Sequence, residues 1–421
     1  MQSDIIMKEE IIMKKRVLAI AMAACMAASL TACGDGAKET TAAAETTAAA
    51  AAGDTTTAAG ETPAASTGGV LKIGGIGPVT GGAAVYGIAV QNGAQLAVDE
   101  INAAGGINGM QVEFKFEDDE HDAEKSVNAY NTLKDWGMEM LMGTVTSNPC
   151  IAVAEKAKED NMFMLTPSGS AVECVQYDNA FRVCFSDPNQ GAASAQYIGE
   201  NKLASKVAVI YDSSDVYSSG IYEKFAAEAK NQGIEVVSAE AFTADNNTDF
   251  TVQLQKAKEA GAELVFLPIY YTQASQILTQ ANTMGYAPMF FGCDGLDGIL
   301  TVEGFDTSLA ENVMLLTPFA ADAQDDLTKN FVTSFKAAYT DTPIQFAADA
   351  YDAIYAIKAA AEKSGVTADM SVSDKCEAMK TGMTQITLDG LTGEGMTWTA
   401  DGEPSKAPKA VKIVDGTYTA M

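Results

Sequence analysis

Residues 71–109 read LKIGGIGPVTGGAAVYGIAVQNGAQLAVDEINAAGGING. Leu71-Lys72-Ile73-Gly74 has the composition of a short strand, a glycine-rich turn follows, and Tyr86–Ala104 has helical spacing until Gly105-Gly106 stops it. Working outward, the same unit recurs. Val112–Glu117 is a strand and Ala123–Trp136 a helix, Met138–Gly143 a strand and Pro149–Glu159 a helix, and Met162–Thr166 a strand. The pattern breaks near Phe181–Asn189 and restarts with helix 189–201, strand Val207–Tyr211, helix 219–232 and strand Glu235–Ala241. Helix 250–260, strand Leu264–Pro268, helix 272–284 and strand Met289–Gly292 follow; helices near 325–339, 345–364 and 373–382 precede a β-rich tail. Repeated βα units predict an α/β fold of parallel sheets with helices on both faces, and two series predict two Rossmann-like lobes. Ligands of such sheets bind outside the carboxyl ends of the strands.

Charge removes several functions. The chain has 421 residues and a net charge of −29, of which residues 70–421 carry 22 basic against 48 acidic side chains, or −26. That field repels phosphate backbones, which argues against nucleic-acid binding, and it disfavours docking of the folded surface on anionic lipid. Hydrophobic residues make up 47% of the chain, enough for a core. A single histidine, His121, leaves one candidate for histidine-based hydrolysis or zinc chemistry.

The first seventy residues read as an address and a tether. Lys14-Lys15-Arg16 precede an apolar run from Val17 to about Ala28, too short and alanine-rich for a good membrane span but suited to a secretory signal peptide. Leu30-Thr31-Ala32-Cys33 resembles the bacterial lipobox, which implies a lipoprotein signal over residues 1–33 whose last residue, Cys33, is lipidated and becomes the first residue of the mature protein. Met13 opens the basic region cleanly and is the expected translation start. Residues 34–69 are alanine, threonine, glycine and glutamate, and predict a disordered spacer with a reach of roughly 30–35 Å. Two acyl chains at Cys33 meet the requirement for stable anchoring. The protein is thus expected outside the cytoplasm, anchored by lipid at the outer face of the cell membrane or in the periplasm.

Short polar side chains gather at the strand ends: Thr80-Gly81-Gly82, Thr146-Ser147-Asn148, Ser168-Gly169-Ser170, and Asp212 to Ser219. N-capping explains any one of them. Their recurrence at successive strand ends of one lobe points to one crevice, where hydroxyls and helix N-termini bind a carboxylate without a formal positive charge. Tyr86, Tyr217 and Tyr270-Tyr271 also follow strands, and Asp294 lies in Gly292-Cys293-Asp294-Gly295 with no basic residue nearby in sequence. A buried carboxylate needs a cation, and a ligand ammonium would serve. Carboxylate binder, ammonium binder and aromatic walls together describe a pocket for a free α-amino acid.

Leu71–Gly109 strongly resembles the start of the periplasmic leucine/isoleucine/valine-binding proteins. The likeness continues through Gly143–Pro149, Leu165–Ser170, Phe181–Gly191 (FRVCFSDPNQG), Tyr217, Tyr270-Tyr271, Gly292–Gly295 and Gly390-Leu391-Thr392-Gly393, closing near Tyr418. The resemblance covers essentially all of residues 70–421. It implies the type I periplasmic-binding-protein fold, with lobe one at 70–187 plus 320–393 and lobe two at 188–319 plus 394–421. It implies a ligand site in which Ser147, Ser168 (through its backbone) and Ser170 hold the ligand's carboxylate and ammonium from lobe one. Tyr217, Tyr270 and Asp294 close from lobe two, and Tyr86 forms an aromatic wall. It further implies delivery of the ligand to an ABC permease with its ATPase subunits, by a monomer without cofactor or metal.

Departures from the family are specific. A member of the family carries glutamate at the position of Asp294, and the cysteines that some members bridge align with His121 and Thr146. Cys174 and Cys184 flank a short turn and, in an exported protein, are expected to pair. The cluster Glu117–Asp122 lacks the spacing of a calcium loop and reads as capping and solvated charge. Gly75-Ile76-Gly77 begins a dinucleotide-type G-x-G-x-x-G that fails at Thr80, and no Walker A sequence is present. A hydrolase using Ser147 or Ser168 lacks both G-x-S-x-G and a suitably placed histidine. The expected function is capture of a free amino acid, branched-chain or otherwise aliphatic, by hinge closure. The alternatives are a receptor of the same fold for an amide, urea or other small carboxylate, and a sensor subunit serving a signalling partner.

Overall fold

A computed structural model describes residues 68–421, so the expected signal peptide, Cys33 and the spacer up to residue 67 lie outside the described residues. The first sheet is built from β1 (Val70–Gly77), β2 (Gln111–Asp118), β3 (Met140–Gly143), β4 (Met164–Thr166) and β5 (Ala180–Arg182), with α1 (Ala84–Ala103), α2 (Ala123–Trp136) and α3 (Ser147–Glu159) between them. Its strand order is β2-β1-β3-β4-β5 and every pairing is parallel. After α4 (Asp187–Glu200), a second series runs β6 (Lys206–Asp212), α5 (Val216–Asn231), β7 (Glu235–Phe242), α6 (Thr251–Glu259), β8 (Leu264–Leu267), α7 (Tyr271–Thr283), β9 (Met289–Gly292) and β10 (Met314–Thr317). Three helices follow, α8 (Asp326–Tyr339), α9 (Gln345–Ser364) and α10 (Val372–Met383), before β11 (Lys409–Val414) and β12 (Thr417–Ala420). The second sheet has the order β12-β11-β10-β9-β8-β6-β7 and is parallel except for β11 and β12. The α/β, two-lobed architecture expected from the sequence is the one observed.

Local chemistry accounts for these elements. The four residues of β3 and the four of β8 are all buried, as strands covered by helices on both faces require. Asp122 caps α2 by accepting the Lys125 N–H at 2.8 Å, and Gly137 ends that helix in the left-handed conformation at φ 92°. Two glycines of α1 let backbones meet. A Cβ on Gly87 would lie 1.8 Å from the Pro78 carbonyl oxygen, and one on Gly93 2.1 Å from that of Ala347 in α9. Through the second contact, α9 packs on α1 and belongs to lobe one although it follows lobe two in the chain.

The chain crosses between lobes three times, after β5, after β10 and before β11. The last crossing falls later than the expected 393/394. Trp398 Nε1 donates to the Arg182 carbonyl at 2.7 Å, and Lys406 Nζ reaches both the Val183 carbonyl at 3.1 Å and Asp349 at 2.7 Å. Residues up to 406 therefore stay on lobe one, and the second sheet is rejoined at Lys409. Two strands were not foreseen. β5 has three residues and β10 four, and each falls where the strand–helix alternation is interrupted, so neither stands out as a unit of the repeat.

Candidate functional site

The strand orders reverse between β1 and β3 in lobe one and between β6 and β8 in lobe two, and the loops beyond these carboxyl ends face each other. Between them lies a small cavity of about 10 Å³ lined by all seven expected residues, Tyr86, Ser147, Ser168, Ser170, Tyr217, Tyr270 and Asp294. Val145, Thr146, Gly295 and Phe346 complete the lining.

Lobe one presents polar groups without a lysine or arginine in the lining. Ser147 opens α3, whose N-cap, Thr146, makes no side-chain bond to the helix. The first-turn N–H groups are thus left for another acceptor, at the positive end of the helix dipole. The Thr146 hydroxyl instead meets His121 Nδ1 at 2.8 Å, so the two residues aligned with the family's bridged cysteines are in contact. Ser168 Oγ donates to the Val145 carbonyl at 2.7 Å, which commits its hydroxyl and leaves its backbone to face a ligand. Arg182 shapes the loop beside it. This fully buried guanidinium donates to the carbonyls of Gly169 at 3.1 Å, Ser170, and Ala171 at 3.0 Å, and pairs with Glu403 at 3.2 Å. The sequence reading passed over Arg182, because its partners are backbone atoms that no motif records.

Lobe two supplies charge and aromatic surface. Asp294 is 5% exposed, and Tyr217 Oη donates to its Oδ1 at 2.7 Å while accepting the Gly295 N–H at 2.9 Å. Burial pushes the Asp294 carboxyl up to about 7, against the lowering effect of Tyr217 and Gln190, with Asp349 adding to the rise. Among the described residues no lysine or arginine forms an ion pair with it. Gln190 Oε1 accepts the Asp294 N–H at 3.2 Å and Gln345 Nε2 donates to its carbonyl at 2.9 Å. These two glutamines, at the starts of α4 and α9, set the aspartate's backbone and were not foreseen. Tyr217 and Tyr270 stack at 4.9 Å, and Tyr86 stacks on Phe346 at 4.2 Å. Phe346 carries no signal of its own in the sequence, since its position in α9 fits helix core as well as cavity wall.

The two lobes are closed on each other. Tyr86 Oη donates to the Gly295 carbonyl and accepts the Tyr271 N–H at 3.2 Å, Tyr271 Oη accepts the Val85 N–H at 3.3 Å, and Thr272 Oγ1 donates to the Gly82 carbonyl at 2.8 Å. The His121 ring stands edge-on to Tyr270 at 5.5 Å. A wider cavity of about 230 Å³ adjoins the first, shares Tyr217 and Tyr270 with it, and is lined by Glu120, His121, Asp212 and Asp215. It is the larger space, but the smaller cavity holds the convergent polar groups that recognise a ligand.

Other candidates resolve into structure. Asp118 accepts the Val79 and Glu120 N–H groups at 2.9 Å each and the Thr80 hydroxyl at 2.6 Å, and Asp119 accepts the His121 N–H at 2.9 Å, so the acidic cluster caps its loop. His121 engages Thr146, while the hydroxyls of Ser147 and Ser168 bond to backbone, so no serine–histidine pair is assembled among the described residues. The expected Cys174–Cys184 bridge is not formed. Both thiols are buried and free. Cys174 lies in the apolar cluster with α2 and α3, whereas the charged groups acting on Cys184 are Arg182, Asp349, Asp294 and Lys406.

The chain is 31% identical over 309 residues to Leu/Ile/Val-binding protein homolog 3 of Brucella melitensis, covering 72% of this chain and 82% of that protein. It is 30% identical over 310 residues to the leucine-, isoleucine-, valine-, threonine- and alanine-binding protein of Pseudomonas aeruginosa, covering 73% and 82%. Among solved structures, the branched-chain amino acid transporter substrate-binding protein LivJ of Streptococcus pneumoniae, in complex with isoleucine, superimposes with a TM-score of 0.75 at 29% identity. That match covers 83% of this chain and 98% of the other. Residues 70–417 match the periplasmic binding protein family, and the chain belongs to that family, with the type I fold.

Proposed function

We propose that the protein captures a free amino acid with an aliphatic side chain and hands it to an ABC permease. The observation that carries this reading is Asp294. It is a buried carboxylate without a cation of its own, set across the cavity from Ser147, Ser170 and the open N-terminus of α3. An ammonium at Asp294 and a carboxylate at the α3 N-terminus satisfy both ends, and Tyr86, Tyr270 and Phe346 offer apolar surface to what lies between. The ligands for which the relatives in Brucella, Pseudomonas and Streptococcus are named support the same class.

Closure is the mechanism. A ligand that bonds to both lobes favours the closed state by its differential affinity for it, and the Tyr86, Tyr271 and Thr272 bonds across the cleft complete that state. The closed face would be what a permease and its ATPase partner recognise. The leader and Cys33 support lipid anchoring outside the cytoplasm, and membership of a periplasmic binding family supports that compartment. Among the described residues no helix is long and apolar enough to cross a membrane.

The test is a thermal-shift screen of the twenty amino acids and short amides, after bound solute is removed by unfolding and refolding. Leucine, isoleucine or valine should give the largest rise in Tm. A flat response to every amino acid would overturn the proposal, and a response to amides or urea alone would reassign the ligand.

A further inference from the structure

We propose that His121 keeps the carboxylate end of the cleft open, by holding the Thr146 hydroxyl away from the N-terminus of α3. Thr146 is the N-cap of that helix, in the extended conformation (φ −107°, ψ 155°) from which a threonine hydroxyl ordinarily accepts a first-turn N–H. Other helices of this chain take that bond: Asp122 caps α2, and Asp215 caps α5 by accepting the N–H of Tyr217, two residues on, at 3.0 Å. Pro149, the third residue of α3, has no N–H, so Ser147 and Asn148 are left as its unbonded first-turn donors. A Thr146 hydroxyl turned toward the helix would take the Asn148 N–H, which has the Asp215–Tyr217 spacing, and halve what remains for a ligand. It is instead engaged by His121 Nδ1 at 2.8 Å.

His121 is itself held in place for this contact. Asp119 accepts its backbone N–H at 2.9 Å, and the residue sits at φ 61°, in the left-handed region that histidine enters more readily than most side chains. Its ring stands edge-on to Tyr270 of lobe two at 5.5 Å, and Tyr270 stacks on Tyr217, the donor to Asp294. One side chain thus touches the carboxylate end through Thr146 and backs the ammonium end through two tyrosines. It lines the wider cavity and not the smaller one, so it acts on the ligand through Thr146, as a positioning residue. The gain is preorganisation: two N–H groups stay open to the cleft, with no cap bond to break when a ligand arrives.

The inference rests on the reading that the ligand's carboxylate meets the start of α3. Its test is a cycle of His121→Phe, Thr146→Val and the double variant. Phenylalanine keeps a ring against Tyr270 and removes the nitrogen; valine keeps the shape of threonine and removes the hydroxyl. Calorimetric titration with leucine should give a Kd roughly 3- to 30-fold weaker in His121→Phe, the contribution of one N-cap bond. Most of that loss should be recovered in the double variant, where no hydroxyl remains to cap the helix. A residue with a merely structural role would leave the double variant as weak as His121→Phe or weaker, and that result would overturn the proposal. Amide-resolved hydrogen exchange without ligand reads the same event. The Asn148 N–H should be slowed in His121→Phe and fast again in the double variant, and unchanged exchange in His121→Phe would also overturn the proposal. Should phenylalanine not tolerate φ 61°, His121→Gly suits that backbone and runs the same cycle. Because exchange needs no ligand, it decides the inference even if the wild type binds no amino acid, the result that would overturn the reading of the cleft.

Discussion

Replacing Asp294 with asparagine should strengthen the ligand-free fold while disabling its binding. The carboxyl sits at about 7 in the folded protein, against an unfolded value near 3.9. A raised folded value means that the group contributes most stability below about pH 4 and loses it as pH rises through 7. At about 1.4 kcal/mol per unit, the ionised group then costs the fold up to about 4 kcal/mol at pH 8. Asparagine keeps an acceptor for Tyr217 Oη and carries no charge to desolvate. For the ligand the sign is opposite, because an ammonium buried opposite an amide has lost its counter-ion. That loss is about 2–5 kcal/mol, roughly 30-fold to several thousand-fold in Kd. Urea denaturation of ligand-free wild type and Asp294→Asn at pH 4 and pH 8 reads the first effect. The variant should gain at pH 8 and the difference should close at pH 4. Titration calorimetry with leucine reads the second. Wild-type affinity in Asp294→Asn would refute the placement of the ammonium, and a loss of stability at pH 8 would refute the description of Asp294 as an uncompensated buried charge.

Below about pH 7 the ligand must displace a proton from Asp294, so its affinity should fall roughly tenfold per pH unit toward pH 5, visible as buffer-dependent heats and absent in Asp294→Asn. Tyr86→Phe removes the bond to the Gly295 carbonyl and the acceptor for the Tyr271 N–H; losing about 1–3 kcal/mol from the closed state should weaken leucine binding roughly 5- to 150-fold with little change in the ligand-free Tm. Lys406→Met leaves Asp349 with its charge enclosed, the pair's side chains being 1% and 3% exposed, and should cost about 3–5 kcal/mol in urea denaturation. Gly93→Ala pushes a methyl to 2.1 Å from the Ala347 carbonyl oxygen; separating α1 from α9 should cost at least about 1–3 kcal/mol by the same assay.

Much of this was legible in the sequence because α/β folds repeat a coarse signal. Helix Ala123–Trp136 and strand Met289–Gly292 match their expected bounds, since a cap or an unbroken apolar run marks each. The seven candidate residues line one cavity for a related reason: they all sit beyond strand ends, and the topology sends those ends to one crevice. What escaped was set by tertiary contact. Arg182 organises the Gly169–Ala171 loop through carbonyls, and Gln190 and Gln345 hold Asp294 from helices distant in the chain. The return to lobe two was placed too early because Trp398 and Lys406 are anchored by partners more than fifty residues away. The cysteine pairing was read from proximity in sequence, whereas Cys174 packs into the apolar cluster with α2 and α3, which Cys184 does not join.

The central claim is that the cavity recognises both ends of an amino acid at once. Calorimetric titration of ligand-stripped protein with L-leucine, with 4-methylpentanoate and with isoamylamine tests it most directly, since the last two keep the side chain and remove the ammonium or the carboxylate. Tight binding of leucine, with at least a hundredfold loss for each analogue, is the predicted result. Comparable affinity for leucine and either analogue would contradict the account.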